Sequence, residues 1–312
     1  MEPDRWLGVE VRHLAALQAL AQERSFGRAA QKLGYTQSAI SQQIAALERT
    51  VGERLVERPG GPRPVALTEA GRLLLAHAEA IVARLKAAQA DMAALREGEA
   101  GTLRVGTFQS VGARILPAVM ARFKEEWPTI EIQLRESGLD DELATWVERG
   151  EIDLAFVMLP IDFQPLETVQ LLRDPYVLVV AADSDIGRDH TPRLREIAAQ
   201  PLFGYRSCRS MVALEAQLRA SGREPDFVFR SEDNGTVQGM AAAGVGVALM
   251  PRLTVEPSDD KVRIVEIGNR VLPRLIGIAW HRDRYQSPAA KAFVETARAV
   301  CGELEQPALS AA

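Results

Sequence analysis

Thr36, Gln37, Ser38, Ser41 and Gln42 stand close together in SFGRAAQKLGYTQSAISQQIAALERTVG, the stretch from Ser25 to Gly52. At about 100° per residue on a helix, Ser38, Ser41, Gln42 and Ala45 cluster roughly 140° from the apolar stripe, with Gln37 beside them at the helix start. Short hydroxyls and amides are groups that read base edges, and a glutamine can bond adenine through two contacts. A face serving only solubility would carry Lys and Glu. Further along, Thr107, Gln109 and Ser110 follow the strand-like TLRVGTF, and Ser137 follows IEIQLRES. Hydroxyls beyond strand ends, next to positive helix starts, suit a small anion such as a carboxylate. In GYRSCRSM, Cys208 lies between Arg206 and Arg209, where positive charge favours a thiolate, and Arg206 is placed to pair with an anion.

Catalytic constellations are sparse. His13, His77, His190 and His281 are scattered, with no HExxH or other metal-ligand spacing. GVGVALMP holds Gly244 and Gly246 without a third glycine and ends as a strand, and no GxxxxGKS or GxxxxGKT occurs. GTFQSVG lacks the GxSxG elbow. These absences favour a binding protein that is not an enzyme and takes no cofactor or metal. The competing reading is a stand-alone small-molecule binding or catalytic α/β protein with an incidental helical N-terminal domain.

The elements that would position the first group are short. Ser25 can cap a helix in which Phe26, Ala29, Ala30 and Leu33 share one face, and Gly34 suits its left-handed end. Thr36 can cap a second helix with Ile40, Ile44, Leu47 and Val51 on one face. That is a helix-turn-helix pattern. GERLVERPGGPRPVALTEAG follows, a Pro/Gly-rich segment between Val56 and Val65 that reads as a two-stranded wing carrying Arg54, Arg58 and Arg63. Its arginines are placed to clamp phosphates. Residues 1–68 hold 9 Lys and Arg against 7 Asp and Glu, whereas the remainder holds 28 against 35. A positive excess confined to one small domain of an acidic chain suits a local nucleic-acid footprint.

Residues 9–71 resemble the winged helix-turn-helix of LysR-type transcriptional regulators, on the stretches SFGRAAQKLGYTQSAISQQIAALE, VGERLVER and LTEAG. The resemblance implies that Thr36, Gln37, Ser38 and Ser41 meet the major groove and that Arg58 meets wing phosphates or the minor groove. Gln42 stands where the family most often has Arg, and Val56 where it usually has Phe; the wing is also long and proline-rich. These departures bear on phosphate contact and on the operator, not on the class.

EAGRLLLAHAEAIVARLKAAQADMAALREG, from Glu69 to Gly98, reads as one long helix. Leu74, Ala78, Ile81, Leu85, Ala88, Met92 and Leu95 alternate steps of four and three, a heptad seam for a second chain. In the family the equivalent helix pairs two chains. EGEAG reads as a hinge. Beyond it, strand-like TLRVGTF, IEIQLRES and IDLAFVM alternate with helical stretches near Gly112–Glu126 and Leu139–Arg149, a βαβαβ pattern with a parallel sheet. A second unit runs from PYVLVVAA through PLFGY, DFVFR and GVALMP, with helices near Met211–Ala220 and Asn234–Ala243. LIGIAW and a final helix near Ser287–Cys301 return to the first lobe.

The expected architecture is therefore α/β: a winged helix-turn-helix over residues 1–68, a dimerising linker helix over 69–97, a hinge over 98–102 and an effector-binding domain over 103–302. The last resembles periplasmic binding proteins, with lobe I at about 103–172 and 270–302 and lobe II at about 173–269. A flexible tail over 303–312 closes the chain. The resemblance implies a regulator that binds double-stranded DNA as a dimer or a tetramer of paired dimers, meets the transcription machinery, and holds a small effector between its lobes. Thr107, Gln109, Ser110, Ser137, Arg206 and Cys208 would line that cleft, and a carboxylate or other anion is the expected occupant. Peroxide-sensing members resemble this chain in placing a reactive Cys near Cys208, but no resolving Cys follows in the next helix, so a redox-responsive regulator is the minor alternative. The only other cysteine, Cys301, is distant in sequence, which implies no disulfide framework. The start MEPDRWLGVEVRH lacks a signal peptide's apolar core, and no run of 18 apolar residues occurs, so the expectation is a cytoplasmic protein with no membrane partner.

Overall fold

The computed structural model describes residues 5–57, 64–97, 101–206 and 209–309. These fall into two compact units, Met1–Met92 and Ala93–Ala312.

The first unit is built on α1 (Val11–Glu23), α2 (Phe26–Leu33) and α3 (Gln37–Val51). Ser25 Oγ accepts the Arg28 N–H and starts α2, while Gly34 ends it at φ 70°. Thr36 Oγ1 accepts the Ala39 N–H and starts α3. Each cap satisfies a donor that the first helical turn leaves unpaired. Ala29 and Ala30 are buried where α2 crosses its neighbours, and Ile40, Ile44 and Leu47 face the same core. Strands β1 (Val56–Glu57) and β2 (Ala66–Leu67) pair antiparallel, Val56 opposite Leu67. Glu48 Oε1 accepts the Leu55 N–H at 2.9 Å and so ties the wing to α3. The tip between them, with Arg58 and Arg63, lies outside the described residues. The long helix α4 (Glu69–Glu97) begins at Gly71's close approach, where a Cβ would sit 2.0 Å from the Leu55 carbonyl oxygen.

The second unit contains two five-stranded sheets. In chain order its elements are β3 (Thr102–Thr107), α5 (Gln109–Arg114), α6 (Leu116–Glu126), β4 (Glu131–Glu136), α7 (Asp140–Glu148), β5 (Leu154–Leu159) and β6 (Leu166–Asp174). Then follow β7 (Tyr176–Ala181), α8 (Leu194–Ile197), β8 (Pro201–Tyr205), α9 (Arg209–Ala220), β9 (Asp226–Ser231), α10 (Asn234–Ala242), β10 (Val247–Pro251), β11 (Val262–Glu266), β12 (Arg274–His281) and α11 (Pro288–Leu309). The first sheet has the order β4-β3-β5-β12-β6 and the second β11-β7-β10-β8-β9. The chain crosses between lobes twice, at Asp174–Tyr176 and just before Arg274, because β6 and β12 both belong to the first sheet.

Only part of that first sheet is parallel. β3 pairs parallel with β4 and β5, but β12 pairs antiparallel with β5 and β6. Strands β6 and β11 carry no strand reading in the sequence: LETVQLLRD mixes buried Leu166, Leu171 and Leu172 with exposed polar residues, the pattern of an edge strand. The central β7 is buried on both faces, which is why YVLVVA is continuously apolar; Leu178 and Val180 enter one core and Val177 and Val179 the other. In lobe I, Phe293 of α11 meets Phe123 of α6 edge-on, with ring centroids 5.3 Å apart.

Two boundaries differ from the sequence reading. The helix expected from Gly112 begins at Gln109 and breaks at Ile115 into α5 and α6. The final helix continues through the expected flexible tail to Leu309, and Glu303 and Glu305 hold it down: Glu303 pairs with Arg122 at 2.9 Å and Glu305 accepts the Arg173 N–H at 2.7 Å.

Candidate functional site

In the first unit, the outward face of α3 is uncharged over its first turns, and the exposed Arg49 joins it only near the helix end. Thr36, Gln37, Ser38 and Gln42 are exposed and Ser41 is half-buried. The Thr36 and Ser38 hydroxyls lie 3.0 Å apart, and Thr36 is also committed to its cap. Gln37, Ser41 and Gln42 thus present free amides and a hydroxyl beside the positive start of a helix, a surface for base edges and phosphate.

Helix α4 divides the expected seam. Leu74 and Ala78 are buried in the core of their own unit, together with Val82. Ile81, Leu85 and Met92 are 48%, 53% and 57% exposed, and Ala88 is exposed beside them. The exposed part of the seam therefore starts at Ile81, one heptad or about two turns later than the heptad count alone indicates. The Leu95 side chain lies outside the described residues.

In the second unit, a cavity of about 370 Å³ opens where the lobes meet. Gln109, Ser110, Ser137 and Arg206 all line it. The turn after β3 and the turn after β4 therefore converge, as neighbouring parallel strands require. Thr107 does not take part: its side chain is buried and its hydroxyl turns toward the Phe108 carbonyl at 3.4 Å. Cys208 lies outside the described residues.

Ser137 is engaged locally, donating to Glu142 at 2.6 Å and accepting the Leu139 N–H at 3.1 Å. Ser110 differs. It accepts an N–H from Arg274 at 3.2 Å and keeps its own proton for another acceptor. The positive helix ends expected to attract an anion are already answered. α7 carries Asp140, Asp141 and Glu142 in its first turn, α10 is capped by Asp233, and α5 has only six residues. The cavity's polar groups that could meet an anion are instead Arg206 and the Ser110 hydroxyl.

The sequence reading missed the residues that organise this cavity. Arg274 and Asp174 are cross-strand partners at the two lobe crossings, with Arg274 Nε 3.0 Å from Asp174 Oδ2. Both side chains are almost wholly buried. Asp174 also accepts the Leu253 N–H from lobe II at 3.0 Å, and Arg274 holds Ser110 in lobe I, so one ion pair binds both lobes at the hinge. Around the cavity further ties join the lobes. Gln109 donates to Asp233 at 3.3 Å, Arg114 to Glu256 at 2.8 Å, and Arg209 to the Pro160 carbonyl at 2.6 Å. Tyr205, Asp140 and Thr254 complete the walls. Sequence offers one signal for them: Tyr205 ends the strand PLFGY and Asp140 stands in the first turn of the helix read near Leu139–Arg149. Nothing local marks Arg274 or Asp174, one hundred residues apart.

Comparison with known proteins matches these two units. Residues 11–72 match the bacterial regulatory helix-turn-helix protein, lysR family, and residues 96–302 match the LysR substrate binding domain. The chain belongs to the LysR family. It is 28% identical over 291 residues to the uncharacterized HTH-type transcriptional regulator YnfL of Escherichia coli K12, covering 92% of this chain and 97% of that one. It is 27% identical over 302 residues to the DNA-binding transcriptional dual regulator OxyR of the same organism, covering 95% and 96%. Among solved structures, the LysR family transcriptional regulator CbnR superposes with a TM-score of 0.65 at 24% identity, covering 94% of this chain and 99% of that one. This LysR-type chain is thus a DNA-binding transcriptional regulator with an effector-binding domain. Among the described residues no helix is long and apolar enough to cross a membrane, and no group of three or more His, Cys, Asp or Glu is arranged to hold a metal ion.

Proposed function

We propose that this LysR-type regulator reads its operator through Gln37 and Ser41 of α3 and responds to a small anionic effector, a carboxylate above all, held in the cavity between its lobes. The observation that carries the effector reading is the convergence of Ser110, Ser137 and Arg206 on one cavity that is also lined by Arg274, whose pairing with Asp174 binds both lobes. A ligand changes DNA binding only by favouring one lobe arrangement over another, and a group touching both crossings is placed to transmit that preference. The hydroxyl of Ser110 and the guanidinium of Arg206 would meet the anion. Thr36, Ser38 and Gln42 flank the base-reading pair on DNA, with Arg58 and Arg63 on phosphates.

The chain acts as a dimer or higher homo-oligomer through Ile81, Leu85, Ala88 and Met92, in the cytoplasm and without turnover of the effector. CbnR has been solved complexed with its target DNA, at 23% identity and a TM-score of 0.64 to this chain, which supports the fold that this docking requires. The deciding experiment is a thermal-shift screen of small carboxylates, followed by calorimetry on Ser110→Ala and Arg206→Ala. A hit should bind each variant more weakly than wild type. Equal affinity for wild type and both variants would place the sensor elsewhere.

A further inference from the structure

The charges of the cavity do not all find partners. Arg274 is answered by buried Asp174. Arg206 faces Glu232 at 3.8 Å, with both side chains exposed. Asp140 is left. Its carboxyl is buried at the first position of α7, and Oδ1 accepts the Met158 N–H at 3.1 Å. Arg209 reaches its neighbour Asp141 instead, at 3.4 Å. On another wall, the Tyr205 hydroxyl is enclosed next to the Thr254 side chain and finds no well-formed hydrogen bond within the protein. Thr254 beside it commits its own proton to the Pro251 carbonyl at 2.7 Å.

A buried donor without an acceptor costs on the order of 1–3 kcal/mol, and a buried carboxylate without a counter-charge costs more still. Such groups persist where a ligand completes them. Phe108, Leu139, Met158 and Pro251 provide apolar wall between them.

We infer that the effector is a small zwitterion of the amino-acid type, its ammonium group on Asp140, its carboxylate on Arg206 and the Tyr205 and Ser110 hydroxyls, and its apolar side chain along Phe108 and Met158. This rests on the cavity being the effector site, and it adds a second charge to the anion proposed there. Burial raises the pKa of Asp140 in spite of the Met158 N–H and the charges of Arg209 and Arg274, which pair with Asp141 and Asp174. Burial likewise raises the pKa of Tyr205, which keeps the phenol a proton donor.

The test uses the full chain and two matched triads: phenylalanine, 3-phenylpropionate and 2-phenylethylamine; then leucine, 4-methylpentanoate and 3-methylbutylamine. Calorimetry should find an amino acid bound at least about tenfold more tightly than its carboxylate or its amine, a ratio equal to ~1.4 kcal/mol. Asp140→Asn keeps an acceptor for the Met158 N–H, and should erase that preference while leaving the carboxylate's affinity within about twofold. Tyr205→Phe should weaken the amino acid and the carboxylate alike and spare the amine. A carboxylate that binds wild type as tightly as its amino acid overturns the inference while leaving the cavity reading intact. So does a preference that survives Asp140→Asn, and so does silence from both triads where the carboxylate screen finds a cavity ligand. A hit whose affinity is unaltered by Ser110→Trp, which fills the cavity, overturns the cavity reading itself.

Discussion

Gln37 and Asp140 illustrate how differently single residues declare themselves. Gln37 is exposed at the start of α3 with its amide uncommitted, and its type and position were readable from the helical phase alone. Gln37→Ala should weaken operator binding by about 1–3 kcal/mol and blur one base position of the preferred sequence. A mobility-shift titration against single-base operator variants measures both effects. Asp140 was hidden among three acidic residues at a helix start that look like ordinary dipole partners. Its environment makes a pH prediction. Desolvation, outweighing the Met158 N–H and the nearby arginines, lifts its pKa above the unfolded value. The folded state therefore binds that proton more tightly than the unfolded chain, and the contribution to stability is lost as pH rises through the folded pKa. Asp140→Asn should melt with wild type near pH 4 and above it at pH 8, by roughly 2–4 °C for each kcal/mol of relieved burial. Parallel thermal melts at the two values check the sign.

At the scale of elements, α4 is the instructive case. Its heptad spacing was plain in the sequence, yet the first two seam residues are used inside the unit's own core. Periodicity reports which residues share a face; it does not report which neighbour covers it. The exposed part from Ile81 onward is the part that can join two chains. Leu85→Asp should place a carboxylate in that joint at a cost of several kcal/mol. Sedimentation should then find smaller species, and operator affinity should fall because paired half-sites are lost. Ala78→Asp should instead unfold the DNA-binding unit, since Ala78 is buried there, and circular dichroism separates the two outcomes. The wing strands, the caps at Ser25 and Thr36 and the helix-ending Gly34 were all legible, because each answers a local backbone demand. Strands β6 and β11 were not, because edge strands with a polar face resemble loops until a neighbouring strand pairs with them.

For the effector domain as a whole, the ties between lobes are expected to set how readily the cavity opens. Glu256 accepts from Ser258 side chain and backbone and from Arg114 across the cleft, which together hold its pKa down to about 2. A depressed folded-state pKa means that the group's stabilising effect is present above the unfolded value and is lost as pH falls through the folded one. The Arg114 tie should therefore stay ionised from pH 8 to pH 5. Hydrogen exchange in Val255–Ser258 should show no added opening over that range, whereas Arg114→Ala should exchange faster at every pH.

The sequence by itself determined the helix-turn-helix, the polar face of α3 and the alternation of strands and helices beyond α4, which rest on local periodicity, caps and turn residues that act over a few positions. The family and the two-lobed plan came from the resemblance of its ordered motifs. Only the tertiary structure decided the cavity's chemistry. Asp174 and Arg274 meet because β12 returns to the first sheet beside β6, and Tyr205 and Asp140 face one space because two lobes close on it. Contacts between residues so far apart in the chain leave no local trace. Burial, which turns an ordinary carboxyl and phenol into groups in need of a partner, exists only once the fold has excluded water from them.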